Sequence, residues 1–199
     1  MRRITNVRLP KPFNESTHNN LWSINLNINE QIIGINPIKT GTALSGEDWQ
    51  GDWLSPMGLD LQINGGLGLA FPELNQQDVP TLLKLLDRLW LDGVEAICPT
   101  LVSCSVKQLR EALAVLHEAR KLHRSQRCEL LGAHLEGPFI AVEKCGAHPK
   151  EHLCKPSLIA LEKRIKGFEK DISLMTLAPE LPGSFPIIKR LQEMSVMVC

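Results

Sequence analysis

Apolar positions fall into two regimes along the chain. Up to residue 55 they come in short, strand-like pieces. Trp22-Ser23-Ile24-Asn25-Leu26-Asn27-Ile28 alternates apolar and polar positions, the period of a half-buried strand. Gln31-Ile32-Ile33-Gly34-Ile35 follows across Asn29-Glu30, and the pair predicts a hairpin. Residues 39–52 are polar and Gly-rich and predict a loop, with Trp49 and Trp53 as its packing anchors.

From residue 56 a strand–turn–helix pattern repeats. Residues 59–63 predict a strand stopping at Asn64-Gly65-Gly66. Val79, Leu82, Leu83, Leu86 and Leu89 recur at helical spacing, with Asp78 as cap, Pro80 in the first turn and Gly93 past the end. Residues 94–98 read as the next strand, ending at Pro99-Thr100. Ser105-Val106-Lys107-Gln108 has the form of a capping box, and Val106, Leu109, Leu113 and Leu116 share one face of the helix it opens. A third strand spans 128–135 and ends at Glu136-Gly137-Pro138. After a long loop come a helix over 157–169, a strand over 172–177, a helix opened by Pro186, and a fifth strand starting at 195.

Repeated βα units imply a parallel sheet covered by helices. An open doubly wound sheet and a (β/α)8 barrel both fit. A full barrel needs roughly 200–250 residues, and about four units follow position 55, so a barrel here would be half of one. The expected fold is α/β: a small β-domain over 1–55, then a partial (β/α)8 TIM-type barrel over 56–199.

Composition narrows the function classes. Of the 199 residues, 43% are hydrophobic, enough for a core. Lys+Arg and Asp+Glu number 22 each, so there is no basic excess to attract nucleic acid. No apolar run approaches the ~20 residues of a membrane span. No apolar stretch follows Met1-Arg2-Arg3, so neither a signal peptide nor a membrane partner is expected, and the expected location is cytoplasmic. The six cysteines include no C-x-x-C pair and read as free thiols.

In either architecture the ligand site lies beyond the C-terminal strand ends. Gln62, Asn64, Thr100, His134, Glu136 and Glu180 fall there. Gln62 and Asn64, two apart, face one way on a strand and could bind a substrate or a metal-bound water; Asn-Gly-Gly equally reads as a turn. His134 and Glu136 also share a face. A carboxylate at a buried strand end needs an ion pair or a metal, and His134 reads either as a ligand or as a hydrogen-bonded core histidine. His148, in the long loop, could bind an anion such as phosphate or be an ordinary solvent-exposed residue. Gly65-Gly66-x-Gly68 is not a dinucleotide fingerprint.

These residues carry a resemblance. Leu59-Asp60-Leu61-Gln62-Ile63-Asn64-Gly65-Gly66 resembles the first-strand signature of N-acetylglucosamine-6-phosphate deacetylases, and His134-Leu135-Glu136-Gly137-Pro138-Phe139 resembles their metal-ligand motif. Lys144-Cys145-Gly146-Ala147-His148-Pro149 and Thr176-Leu177-Ala178-Pro179-Glu180 are similar to the loop and strand end that follow, and Pro99-Thr100 falls in place. The resemblance implies an amidohydrolase-type barrel with Glu136 as a metal ligand and Ala147 and His148 as substrate contacts. Gln62, Asn64 and His134 would line the active site. It implies a divalent metal, Zn²⁺ first and Fe²⁺ or another ion as alternatives. The implied substrate is an amino-sugar phosphate, hydrolysed to acetate and glucosamine 6-phosphate.

Family members are roughly twice this length. Their two histidine ligands, a further substrate-binding histidine and the catalytic aspartate lie in later strands, past residue 199. The resemblance therefore implies a truncated deacetylase that holds metal weakly and turns over little alone. A half of a split enzyme, and a non-catalytic sugar-phosphate-binding module, are the competing readings. A homo-oligomer or a missing C-terminal half are the partners this leaves open.

Overall fold

The computed structural model describes residues 2–10, 21–39, 41–42 and 44–199. It divides into two compact units, Met1–Pro56 and Met57–Cys199.

The first unit is a four-stranded sheet of β1 (Arg2–Val7), β2 (Trp22–Leu26), β3 (Ile32–Pro37) and β4 (Glu47–Asp48), in the order β3-β2-β1-β4. The expected hairpin is β2–β3, antiparallel, with Ile24 opposite Ile35. Asn27 builds its turn, its Oδ1 accepting from the backbone N–H groups of Asn29 and Gln31 at 2.9 Å each. Ile4, Val7, Ile24 and Leu26 form a small core against which Trp22 and Trp49 pack. Three expectations change. β1 pairs with β2 although the sequence reading passed over it, and the loop over 39–52 contains β4. Trp49 packs, whereas Trp53 is 64% exposed and lies outside this core, with its backbone bridging to Arg8.

The second unit alternates strands and helices. Its strands are β5 (Gly58–Ile63), β6 (Gly65–Gly66), β7 (Leu69–Ala70), β8 (Val94–Val102), β9 (Glu129–Leu130), β10 (Ala133–Glu136), β11 (Ile172–Thr176) and β12 (Met197–Val198). Its helices are α1 (Val79–Leu91), α2 (Val106–Lys121), α3 (Leu158–Ile165) and α4 (Ser184–Glu193). The principal sheet is parallel in the order β12-β11-β10-β8-β5, with β9 also on β8. Spatial order follows chain order without reversal. A doubly wound sheet reverses at a switch point, so this order belongs to the barrel type of winding.

The core lies between sheet and helices. Leu82 and Leu86 of α1, Leu113 of α2, Ile97 of β8, Leu135 of β10 and Met175 of β11 are at most 2% exposed. Ser105 caps α2 as expected: Ser105 Oγ accepts from the Gln108 N–H at 3.2 Å, and Gln108 Oε1 accepts from the Ser105 N–H at 3.3 Å. Asp78 does not cap α1; its Oδ2 accepts from the N–H of Asn75 at 3.0 Å, closing a box one turn earlier. The third expected strand is split into β9 and β10 by Gly132, which sits at φ 143° and leaves no room for a Cβ beside Ser173 Oγ. α3 stops at Ile165, shorter than expected, before Gly167 at φ 89°. α4 begins at Ser184, two residues ahead of Pro186.

β5 is an edge strand, and Leu59 and Leu61 on it are 60% and 45% exposed. No helix among the described residues is long and apolar enough to cross a membrane.

Candidate active site

Because the five strands run the same way, their C-terminal ends meet at one end of the sheet. The register sets His134 level with Thr100, and Glu136 level with Val102 on one side and Thr176 on the other. Gln62 comes from the end of β5, and Ser103 follows the last residue of β8.

His134 is 5% exposed and tied to both neighbouring strands. Its Nε2 lies 2.8 Å from Thr176 Oγ1 and its Nδ1 3.4 Å from Thr100 Oγ1. Burial pushes the imidazole pKa down, opposed by the Glu136 charge and a hydrogen bond to the Leu61 backbone. With both nitrogens engaged, the ring is placed to brace the sheet, with no lone pair left for a ligand.

Glu136 is the group on which other side chains converge. Gln62 Nε2 donates to Glu136 Oε2 at 3.3 Å, and His148 Nε2 lies 3.6 Å from Glu136 Oε1. His148 Nδ1 lies 2.9 Å from Ser103 Oγ and accepts from the Ser103 N–H at 3.4 Å. Ser103 Oγ also lies 3.4 Å from the Glu136 carbonyl oxygen. A carboxylate, a carboxamide, an imidazole and a hydroxyl from four chain segments thus share one end of the sheet.

Asn64 and Gln62 do not act together. The Gln62 side chain reaches Glu136, while the Asn64 backbone carbonyl accepts from the Phe71 N–H at 3.0 Å across the β6–β7 turn. Asn64 lines a neighbouring cavity of about 340 Å³ with Ser103, Gln108 and His152. The turn is therefore formed in the backbone at Asn64, and the Gln62 side chain meets Glu136. Ala147 is exposed beside His148, and Glu180 is exposed past β11. Ser103 and Thr176 escaped the sequence reading as site residues. A hydroxyl one step past a strand end, beside a charged residue that ends the next strand, is the signal that would have found Ser103.

A divalent ion needs several donors facing one point. Among the described residues no group of three His, Cys, Asp or Glu could hold one. Glu136 fits one ligand of such a site; the donor set at this end is not a complete one.

No protein-family model matches the chain. Curated relatives do. It is 34% identical over 143 residues to the N-acetylglucosamine-6-phosphate deacetylase of Caenorhabditis elegans, an alignment covering 69% of this chain and 34% of that protein. It is 33% identical over 153 residues to the enzyme of that name from Bos taurus, covering 76% of this chain and 37% of that protein. The chain is a sequence relative of the N-acetylglucosamine-6-phosphate deacetylases. It spans about a third of the length of the curated deacetylases it matches. Solved deacetylases share the fold. The Pasteurella multocida structure aligns at a TM-score of 0.70 with 22% identity, over 99% of this chain and 49% of that one. The Thermotoga maritima structure aligns at 0.64 with 25% identity, over 88% of this chain and 42% of that one. A Mycobacterium smegmatis deacetylase variant in complex with N-acetyl-D-glucosamine-6-phosphate aligns at 0.72 with 18% identity, over 99% of this chain and 48% of that one.

Proposed function

We propose that the chain is the N-terminal half of a metal-dependent N-acetylglucosamine-6-phosphate deacetylase. Residues 1–55 would be the small flanking β-domain and residues 56–199 the first strands of a (β/α)8 barrel. The observation that carries this reading is the meeting of Gln62, Glu136 and His148 at the C-terminal strand ends, in a chain whose curated relatives are deacetylases.

In this reading Glu136 supplies one carboxylate ligand to a divalent ion, Zn²⁺ first, and Gln62 orients that carboxylate. Bound there, the ion would supply Lewis-acid polarisation of the acetamide carbonyl and acidify a water. His148 and Ala147 bind the sugar phosphate, Asn64 and His134 line the site, and the remaining ligands and the acid–base aspartate belong to later strands. The substrate class is supported by the solved complex with N-acetyl-D-glucosamine-6-phosphate. A reducing, cytosolic setting is supported by the six free cysteines.

Calorimetric titration of the 199-residue chain with Zn²⁺ and then with N-acetylglucosamine 6-phosphate tests this. Weak, substoichiometric metal uptake, lost in Glu136→Gln, is expected, with ligand binding weakened in His148→Gln and little turnover. Metal uptake unaffected by Glu136→Gln would remove the assignment, and turnover near that of an intact metal hydrolase would remove the half-enzyme reading. The exposed Leu59 and Leu61 on the β5 edge favour a second reading, one half of a split enzyme. Co-expression with candidate C-terminal halves should then restore activity, and failure of every such half to bind would end it. A cooperative melt whose midpoint rises with the sugar phosphate, with no metal dependence, would point instead to a binding module.

A further inference from the structure

His148 sits in a loop, where a side chain is free to rotate unless something holds it. What holds it is Ser103. The Ser103 amide can only donate, and it donates to Nδ1 at 3.4 Å. The Ser103 hydroxyl lies closer to the same nitrogen, at 2.9 Å. The amide at 3.4 Å disfavours a proton on Nδ1 only weakly; with the hydroxyl donating at 2.9 Å as well, the neutral ring carries its proton on Nε2. That nitrogen faces Glu136 Oε1 at 3.6 Å.

We propose that Ser103 is a positioning residue for His148: its amide and hydroxyl fix Nδ1 as an acceptor and thereby aim the Nε2 proton at the Glu136 end of the sheet. The hydroxyl has one proton and two acceptors in reach, His148 Nδ1 at 2.9 Å and the Glu136 carbonyl oxygen at 3.4 Å. The shorter contact takes it. Ser103 is 4% exposed and packed against Gly137, so its hydroxyl has few other directions to turn. The two residues are 45 apart in sequence, and the contact ties the long loop to the end of β8. A donor held on Nε2 suits a negatively charged oxygen of a ligand. That consequence rests on reading His148 as a substrate contact, whereas the tautomer and its cause do not.

The test uses the 199-residue chain with ¹⁵N-labelled histidines. Long-range ¹H–¹⁵N spectra are recorded over a rising pH series and read at its upper plateau, where the histidine shifts no longer change with pH. His148 is assigned by the signal lost in His148→Gln. Wild type should show a protonated Nε2 and an unprotonated Nδ1. In Ser103→Ala, which keeps the amide and loses the hydroxyl, the two His148 signals should move towards each other as the second tautomer is populated. Ser103→Thr should restore the wild-type pattern. His134, bonded to Thr100 and Thr176, reports in the same spectra and should not move. A proton on Nδ1 in wild type, or an unchanged His148 in Ser103→Ala, would overturn the proposal, as would an equal shift of His134. Adding N-acetylglucosamine 6-phosphate separates the two readings. Unmoved His148 signals would defeat the substrate-contact role and leave the tautomer result standing.

Discussion

His134 Nε2 and Thr176 Oγ1 meet at 2.8 Å across β10 and β11, joining the ends of two adjacent parallel strands through side chains as well as backbone. Removing the hydroxyl leaves a buried ring nitrogen unpartnered, which costs about 1–3 kcal/mol. Thr176→Val, nearly isosteric, should lower the unfolding free energy by about that much in urea denaturation, and Thr176→Ser should recover most of it. Equal stability in wild type and Thr176→Val would show that the contact contributes nothing.

The packing between helices and sheet makes a separate prediction. Leu113 of α2 is fully buried in the core. Leu113→Ala should cost about 2–5 kcal/mol, read from the urea midpoint at constant slope, since it removes methyl groups and leaves a cavity. A loss well below that range would mean the surrounding side chains collapse into the space.

Acid stability should depend on Asp87. Arg127 donates to its two carboxylate oxygens at 2.7 and 3.0 Å, and Arg124 adds a bond at 3.1 Å. The Arg127 hydrogen bond leads in holding the Asp87 pKa down to about 2. Unfolded, the carboxyl returns to about 3.9, so between these values the unfolded chain binds more protons. The contribution is fully present above about pH 4 and is lost as the pH falls towards 2. It is modest, because the Asp87 side chain is 34% exposed and solvent screens it. Urea midpoints between pH 2 and 5 should fall less steeply for Asp87→Asn than for wild type; parallel curves would remove Asp87 from the acid response.

Thiol reactivity should rank by burial. Cys199 is exposed, whereas Cys128 is fully buried and its thiol is pushed up to about 12, chiefly by burial. Cys98 is also buried, with its pKa raised by the same cause. Alkylation of the native chain near neutral pH, read by peptide mass mapping, should modify Cys199 first and reach Cys98 and Cys128 only on denaturation. Early modification of Cys128 would show that β9 opens locally.

The legible parts of the fold are those whose pattern is local. α1 and α2 show apolar spacing over three or more turns, and the Ser105–Gln108 box announces its own helix start. β1 was not legible, because Arg2 and Arg3 open it and only its pairing with β2 gives Ile4 and Val7 a core to face. β8 runs past Pro99 to Val102 because Thr100, Leu101 and Val102 pair with His134, Leu135 and Glu136 of β10, which no local signal encodes. In the site, Glu136, His134 and His148 were visible as residue types. Their division of labour was not, since Ser103 reaches His148 and Glu136 only through the register of β8 beside β10. Asp78 looks like a helix cap, but its carboxylate bonds back to the Asn75 N–H, where Asn75 caps the turn before the helix.

The strand order β5-β8-β10-β11-β12 is also the order of synthesis. Each strand leaving the ribosome finds its neighbour already made, one helical connection upstream. No strand of this sheet must wait for a distant partner, and none must be inserted between two that have already paired. Such a sheet can lengthen by accretion while translation proceeds at about 5–20 residues per second, each βα unit docking on the last. Its loop-closure cost is met in small, similar instalments, which favours quick assembly over the slow search of long-range pairing.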